Sequence, residues 1–348
     1  MFRFIPFLGC VGLWLLAAAA DAQTFLFVSS INTNSVFRYN GLTGAFIDNF
    51  ATGGGLNSPA GLGINPNNGN LLVVGAQNNQ VLQFNITTGA FINTFTSGAT
   101  LGTPDGMAYG PDGNLYVGGG TTNNVQRYNG STGAFLNTFA TGQSGSSPAT
   151  SGVTFGGPSN NLYYGNFSVL SNVARQHNGT TGAFVNQTPN MGAFLNIPAG
   201  VAIGPDNNLY VAIDTNTNAG RIDRFNGSSL ALIGTFVAAG AGGMGRPYGI
   251  AFGPDGNFYV SSYGGSIATS NIKRYNGATG AFIDDFVALG SGGLDDPSYI
   301  MFFTTAAVPE PSILLLVGGS GLALGAWLRF GRKRARAYRW APAKTRST

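Results

Sequence analysis

The sequence predicts an all-β fold, a six-bladed β-propeller closed by N- and C-terminal strands in a shared blade, followed by a C-terminal single transmembrane helix. Three observations predict the ring: a motif that returns six times, four short strand patterns in each copy, and chain ends that are each incomplete but complementary.

Only 9% of the 348 residues are charged, against about a quarter in a typical globular domain. Polarity comes instead from Asn, Thr, Ser and 55 Gly, a turn-rich composition that favours short strands over helices. The motif Tyr39-Asn40-Gly41-Leu42-Thr43-Gly44-Ala45-Phe46 returns at 128–135 and 275–282, with weaker copies at 84–91, 177–184 and 225–232. Its Asn falls at 40, 85, 129, 178, 226 and 276, at spacings of 45, 44, 49, 48 and 50. A second motif, beginning Pro104-Asp105-Gly106 and ending at Val117, recurs at 198–211 and 247–260, and more loosely at Pro59 and Pro148.

Each copy divides into four strands, here lettered a to d. Strand a is 249–253 and its equivalents, followed by a Pro-Asp-Gly-Asn turn whose proline is preset for the first corner of a type I turn. Strand b is 258–260 and strand c is 272–275. The Asn-Gly-x-Thr-Gly loop supplies residues tolerant of positive φ for the hairpin into strand d, 281–286. The repeat region opens with a strand b, 25–28, and finishes with a strand a, 297–303. Pairing these two would seal the ring and leave no terminal blade with an unpaired edge.

The flanks carry different signals. Residues 1–22 have the pattern of a secretory signal peptide: Arg3, an apolar stretch over 7–20, and the small-x-small site Ala20-Asp21-Ala22. Cys10, the only cysteine, lies inside it, so a disulfide framework or Cys-based site is excluded from the exported chain. Phe7-Leu8-Gly9-Cys10 is a poor lipoprotein box, because cleavage there would leave the apolar core of the signal on the product. The net charge of +4 belongs to the tail. Residues 23–307 hold 8 Lys/Arg against 11 Asp/Glu, a net of −3, whereas 329–348 add 8 Lys/Arg and no acid. Nucleic acid is therefore not an expected partner.

The Gly-Pro-Asp-Gly-Asn-(Leu/Phe)-Tyr-Val runs at 110–117 and 253–260 resemble NHL-type six-bladed propellers and the wider gluconolactonase-like and streptogramin-lyase-like group. The resemblance spans 24–303 and concerns turns and core strands, so it implies fold more than function. Val308-Pro309-Glu310-Pro311, an apolar run over 313–328, and Arg329, Arg332, Lys333 and Arg334 resemble the PEP-CTERM sorting signal. That resemblance implies an exosortase-type sorting protease as partner, cleavage near Pro309-Glu310-Pro311, and delivery to the cell surface or beyond. The expected domains are a signal peptide at 1–22, the propeller at 24–303, a linker with the Pro-Glu-Pro motif at 304–312, the transmembrane helix at 313–328 and a basic cytoplasmic tail at 329–348. As a helix the 16 apolar residues would span about 24 Å, short of a hydrocarbon core of about 30 Å. Snorkelling arginines and Trp327 cover the deficit, and the basic residues hold the tail in the cytoplasm, so that the propeller faces outward.

Strand alternation places the a–b and c–d turns on one face and the variable b–c and d–a loops on the other, where binding is expected. The mouth of the channel on that face is predicted to carry Ala60, Asp105, Ala149, Ala199, Tyr248 and Ser298. Only Asp105 is acidic, which argues against the converging Glu, Asn and Asp metal set that a lactonase resemblance would imply. His177, the only histidine, replaces the repeat aromatic of strand c and is read as packed rather than catalytic. Asp112, Asp206 and Asp255 are assigned to turn chemistry rather than Ca²⁺, and Asp284-Asp285 with Asp295-Asp296 to a solvated acidic patch. Arg38, Gln83, Arg127, Gln176, Arg224 and Arg274 are expected to bond between blades. Asp105, Tyr248, Tyr263 and Tyr299 remain as candidate binding residues, the tyrosines as stacking surfaces for sugars.

No cofactor and no metal is expected. The function expected is that of an exported, envelope- or matrix-associated, non-catalytic binding module for a polysaccharide or envelope protein. A lactonase- or lyase-like enzyme is the alternative, and a spacer without ligand the third possibility.

Overall fold

The computed structural model describes residues 22–142, 149–168, 171–192, 196–215, 217 and 219–306. Residues 24–304 form one compact unit. Its strands make six separate four-stranded antiparallel sheets, each ordered a-b-c-d from the inner to the outer edge. Apart from three short 3-10 turns, at Ala241–Gly243, Ile267–Thr269 and Ser291–Gly293, the described residues contain no helix.

Blade one is the shared blade. Its strand a is Pro297–Thr304, and its strands b to d are Thr24–Ser30, Ser35–Asn40 and Phe46–Ala51. The last strand pairs antiparallel with the first, from Thr24 opposite Thr304 to Ser30 opposite Pro297. The predicted seal is therefore present. Blades two to six begin on strand a at Pro59, Pro104, Ala149, Ile197 and Arg246 respectively.

Each strand sends alternate side chains into the two seams beside its sheet. Six hydrophobic clusters result, one per seam. The closing seam joins Leu26, Val28, Tyr39 and Ile300 of blade one to Tyr259, Ile272 and Phe286 of blade six, all buried like their counterparts elsewhere. Backbone complementarity between neighbours is equally regular. Gly44, in the c–d hairpin of blade one, has φ +72, and a Cβ there would lie 1.8 Å from the Phe286 carbonyl oxygen of blade six. Gly89 and Gly133 meet Phe50 and Phe95 at the same distance, so these glycines set how closely blades approach.

The hairpin loops work as their composition predicts. Asn40 Oδ1 accepts the Leu42 and Thr43 amides at 2.9 and 3.0 Å, and its carbonyl accepts the Gly44 amide at 2.8 Å. The aspartates of the a–b turns are consumed in the same local way. Asp112 accepts the Asn114 amide at 3.1 Å, the Asn114 side chain at 2.7 Å and the Tyr116 hydroxyl at 3.0 Å. Asp206 and Asp255 repeat this with Tyr210 and Tyr259. These hydrogen bonds hold all three carboxylates below their usual pKa despite partial burial.

Two sequence expectations change. Arg38 and Arg274 bond within their own sheets, to Asp48 and Asp284 on strand d, rather than between blades. Their guanidinium planes also cover Phe50 and Phe286. Gln176 does reach across a seam, with Nε2 3.5 Å from the Gly227 carbonyl. Asp284-Asp285 is not a freely solvated patch either, since Lys273 takes Asp285 at 2.8 Å and Arg274 takes Asp284 at 2.5 Å. The expected signal peptide at 1–22, all but its last residue, the expected transmembrane span at 313–328, Val308-Pro309-Glu310-Pro311 and the basic residues Arg329, Arg332, Lys333 and Arg334 lie outside the described residues. Among the described residues no helix is long and apolar enough to cross a membrane.

Candidate functional site

Strand a lines the axis, and in all six blades its pairing with strand b slips near its start, just after the repeat proline in five of them and after Ser151 in blade four. In blade six, Pro247 opposes Ser262 and Ile250 opposes Val260, so Tyr248 and Gly249 share one partner position. A bulge of this kind re-aims the extra side chain. Here it turns Asp105 of blade three and Tyr248 of blade six toward the axis.

The two meet. Tyr248 Oη donates to Asp105 Oδ2 over 2.8 Å. Blades three and six lie opposite each other in a ring of six, so this bond spans the channel. Tyr299 of blade one makes the second crossing: its hydroxyl accepts the Gly152 amide of blade four at 2.9 Å and also faces the Asp105 carboxylate. The two tyrosine rings pack edge to face, 5.6 Å apart at 74°. Burial at the axis pushes the Asp105 carboxyl up to about 7, and the two tyrosine hydrogen bonds oppose that rise. Its accessible surface is only of intermediate extent and opens into the cavity above. Burial likewise pushes both tyrosine hydroxyls well above their ordinary range, so they stay protonated donors.

Above the bridges, on the variable-loop face, a cavity of about 300 Å³ is lined by Asp105, Tyr248, Ala60, Thr121, Thr150 and Ser298, among others. A neighbouring cavity of about 160 Å³ shares Tyr248 and adds Tyr263, Arg246, Asp214 and Asp296. Arg246 is clamped by Asp214 through Nε at 2.9 Å and Nη2 at 2.7 Å. Asp296 is pushed up to about 6, mainly by burial, with Arg246 opposing and Asp295 and Asp214 adding to the rise.

Of the predicted mouth residues, Ala60, Asp105, Ala149, Tyr248 and Ser298 line the larger cavity, whereas Ala199 is fully packed. Aligning blade four through Pro148 displaced that blade by two residues. Strand pairing opposes Thr150 to Asn166 and Ser151 to Gly165, so Ser151 stands where Tyr248 stands in blade six. Tyr299 lines neither cavity; it buttresses Asp105 instead of offering a stacking face. Tyr263 sits beside Tyr248 in the smaller cavity.

Sequence reasoning missed Arg246 and gave Asp296, which the structure half-buries beside it, to a solvated patch, although both directly precede the repeat proline of adjacent blades, a position filled by Ser58 and Thr103 elsewhere. It also missed that Tyr299 occupies the repeat's glycine position, held by Gly61, Gly106 and Gly249 in other blades. His177 is 3% exposed. Its Nδ1 lies 2.9 Å from the Gly182 carbonyl and its Nε2 3.0 Å from the Tyr164 hydroxyl, which assigns the proton to Nδ1. Burial lowers its pKa.

No protein-family profile matches this sequence, and no curated protein sequence matches it either. Solved structures do match. A protein of unknown function from Bacteroides caccae shares 13% identity at a TM-score of 0.61, over 81% of this chain and 99% of that one. The structure of a nidogen/laminin complex shares 14% at 0.59, over 80% and 98%. A putative gluconolactonase shares 14% at 0.49, over 62% and 73%. At such identities the first two likenesses show the propeller fold alone.

Proposed function

We propose that this chain is an exported, envelope- or matrix-associated propeller that acts as a non-catalytic binding module, taking a polysaccharide segment at the axial mouth. The observation that supports this most is the Tyr248–Asp105 bridge. It holds the mouth's carboxylate as a fixed acceptor beneath a cavity edged with hydroxyls and aromatic rings. Arg246 is already paired with Asp214, so the neighbouring cavity offers tyrosine faces and the Asp296 carboxyl rather than a free cation. Such a lining suits a hydroxyl-rich ligand.

Immobilised bacterial exopolysaccharides and a glycan array test the reading. Full-length protein is expected to bind at least one polysaccharide, and Tyr248→Phe or Tyr263→Ala to weaken that binding about tenfold, the worth of one or two hydrogen bonds. Binding unchanged in both variants would overturn the axial assignment.

Lactonase- or lyase-like catalysis is the second reading. The near-neutral pKa of Asp105 favours it, because a general base works best close to the operating pH. Lactone turnover abolished by Asp105→Ala would establish it in place of simple binding.

The proposal includes export through the signal peptide at 1–22 and sorting through Val308-Pro309-Glu310-Pro311 by an exosortase-type protease, with the span at 313–328 as transient membrane anchor. Mass spectrometry of surface material is expected to find the chain ending near Pro309-Glu310-Pro311. An intact Arg-rich tail in that material would overturn the processing step.

A further inference from the structure

Blade six departs from the repeat at one more place, away from the axis. Its strand c opens with Asn271, where other blades have Ser35, Gln80, Asn124, Val173 or Arg221. Several of these are satisfied locally: Ser35 by Thr33 at 2.7 Å, Asn124 by Thr122 at 3.0 Å, and Arg221 by Asp223 at 3.0 Å. Asn271 is 1% exposed, and neither its Oδ1 nor its Nδ2 has a hydrogen-bond partner. Leaving both ends of a buried amide unpaired is costly.

Two residues along the strand, Lys273 is 3% exposed. Its ammonium donates to the Gly242 carbonyl at 2.7 Å and to Asp285 Oδ1 at 2.8 Å, leaving its third N–H uncommitted. The equivalent positions hold Phe37, Leu82, Gln126, Arg175 and Asp223 on strand c, and Asn49, Thr94, Thr138, Gln187 and Thr235 on strand d. The Lys–Asp pair is thus particular to blade six.

Asn271, Lys273 and Asp285 all line a cavity of about 370 Å³ at the shoulder of this blade. Its walls are the loop through Gly242 and Gly243 and the loop through Ala268, and Leu289, 55% exposed, gives it an apolar side. Gly242 and Gly243 adopt left-handed φ of 63 and 74, which lets the loop arch over Phe282.

We infer that this cavity is a second, lateral binding site for a neutral pyranose sugar, held through a vicinal pair of hydroxyls by the Asn271 amide, whose polar atoms each show under 1 Å² of surface until the side chain turns toward the cavity that it lines. A carboxamide offers a donor and an acceptor side by side, and adjacent sugar hydroxyls present the complementary acceptor and donor. The Lys273–Asp285 pair cancels its own charge, so the pocket selects neither anion nor cation, while both groups keep capacity for further hydroxyls. Leu289 and Ala268 face the apolar C–H surface of the ring. The site shares no residue with the axial mouth, so either assignment can fail alone.

The test is a titration of full-length protein, in a zwitterionic detergent without sugar headgroups, with methyl α-D-glucopyranoside, mannopyranoside and galactopyranoside, read by saturation-transfer NMR. At least one glycoside is expected to bind. Asn271→Leu should weaken that binding about tenfold, the loss of two hydrogen bonds, and raise Tm because an unpaired buried amide is removed. Ala268→Trp, which fills the cavity and leaves Asn271, Lys273 and Asp285 in place, should do the same to binding. Asp105→Asn should leave this component intact, and 2-deoxy or 3-deoxy glycosides should identify the diol. Unchanged binding in both blade-six variants, absence of glycoside binding, or binding only of an N-acetyl dipeptide amide would overturn the inference. So would a fall in Tm for Asn271→Leu, since it would mean that the amide is satisfied by the protein.

Discussion

Tyr248 Oη donates to Asp105 Oδ2 over 2.8 Å and so joins opposite blades across 143 residues of sequence. With Tyr299 crossing from blade one to Gly152 of blade four, the axis is tied along two diameters just below the mouth. These bonds define where the cavity ends, and they make the ionisation of one carboxyl a property of the whole ring.

Asp105 is raised from 3.8 to about 7. The folded state therefore holds its proton more tightly than the unfolded chain does, and stability falls as pH rises from about 4 to about 7. Asp105→Asn is expected to abolish this component and to raise Tm at pH 8 relative to the parent, with little change at pH 4. Thermal melts across that range check it. Tyr248→Phe removes a bond that lowers the Asp105 pKa, so the carboxyl should titrate above 7 in that variant, as measured by ¹³C NMR.

His177 contributes with the opposite sign. Its pKa is lowered by burial, so the unfolded chain binds the proton better and stability is lost as pH falls through the ordinary histidine range near 6.5. His177→Phe restores the aromatic found at Phe84 and Phe225. It should flatten the acid limb of the stability profile without affecting ligand binding. A loss of binding in a variant of parental Tm would give this histidine a functional role instead.

Gly44 and Gly55 make a matched pair, both at φ +72. Nothing surrounds Gly55, whereas a Cβ on Gly44 meets the Phe286 carbonyl at 1.8 Å. Gly55→Ala should cost only the left-handed backbone penalty, about 1 kcal/mol. Gly44→Ala should cost about 3 kcal/mol or more, because blades one and six must part. Denaturant melts of the two variants compare seam and surface directly.

Ile250 and Ile300 occupy the same repeat position in blades six and one and are 8% and 7% exposed. If the shared blade is packed as firmly as the others, truncating either to Ala should cost about 2–5 kcal/mol, and the two losses should agree within about 1 kcal/mol. A much smaller loss at Ile300 would mean that the C-terminal strand is only loosely attached.

The architecture was legible because its determinants are local and repeated. Asn40 and its five counterparts cap their own hairpins, Pro-Asp-Gly-Asn turns satisfy their own aspartates, and alternation marks each strand. The partition of the chain ends into strand b and strand a followed from counting. The site was less legible because it is built from exceptions. Asp105 and Tyr248 could be placed at the mouth from the repeat, but their mutual bond depends on bulges in two strands on opposite sides of the ring. Ser151 was hidden by an extra stretch of chain in blade four. Asn271 looked like an ordinary strand residue, and only packing reveals that its amide has no partner.

The shared blade also fixes an order of events. Thr24–Ser30 is made before the other strands of the ring, yet its inner neighbour, Pro297–Thr304, is made after all of them. Until then the leading strand keeps an open edge beside Phe27 and Val28, the kind of surface that recruits stray strands. Completion therefore waits for the last strand of the ring, and a pause or truncation late in synthesis would leave an aggregation-prone crescent rather than a smaller working molecule.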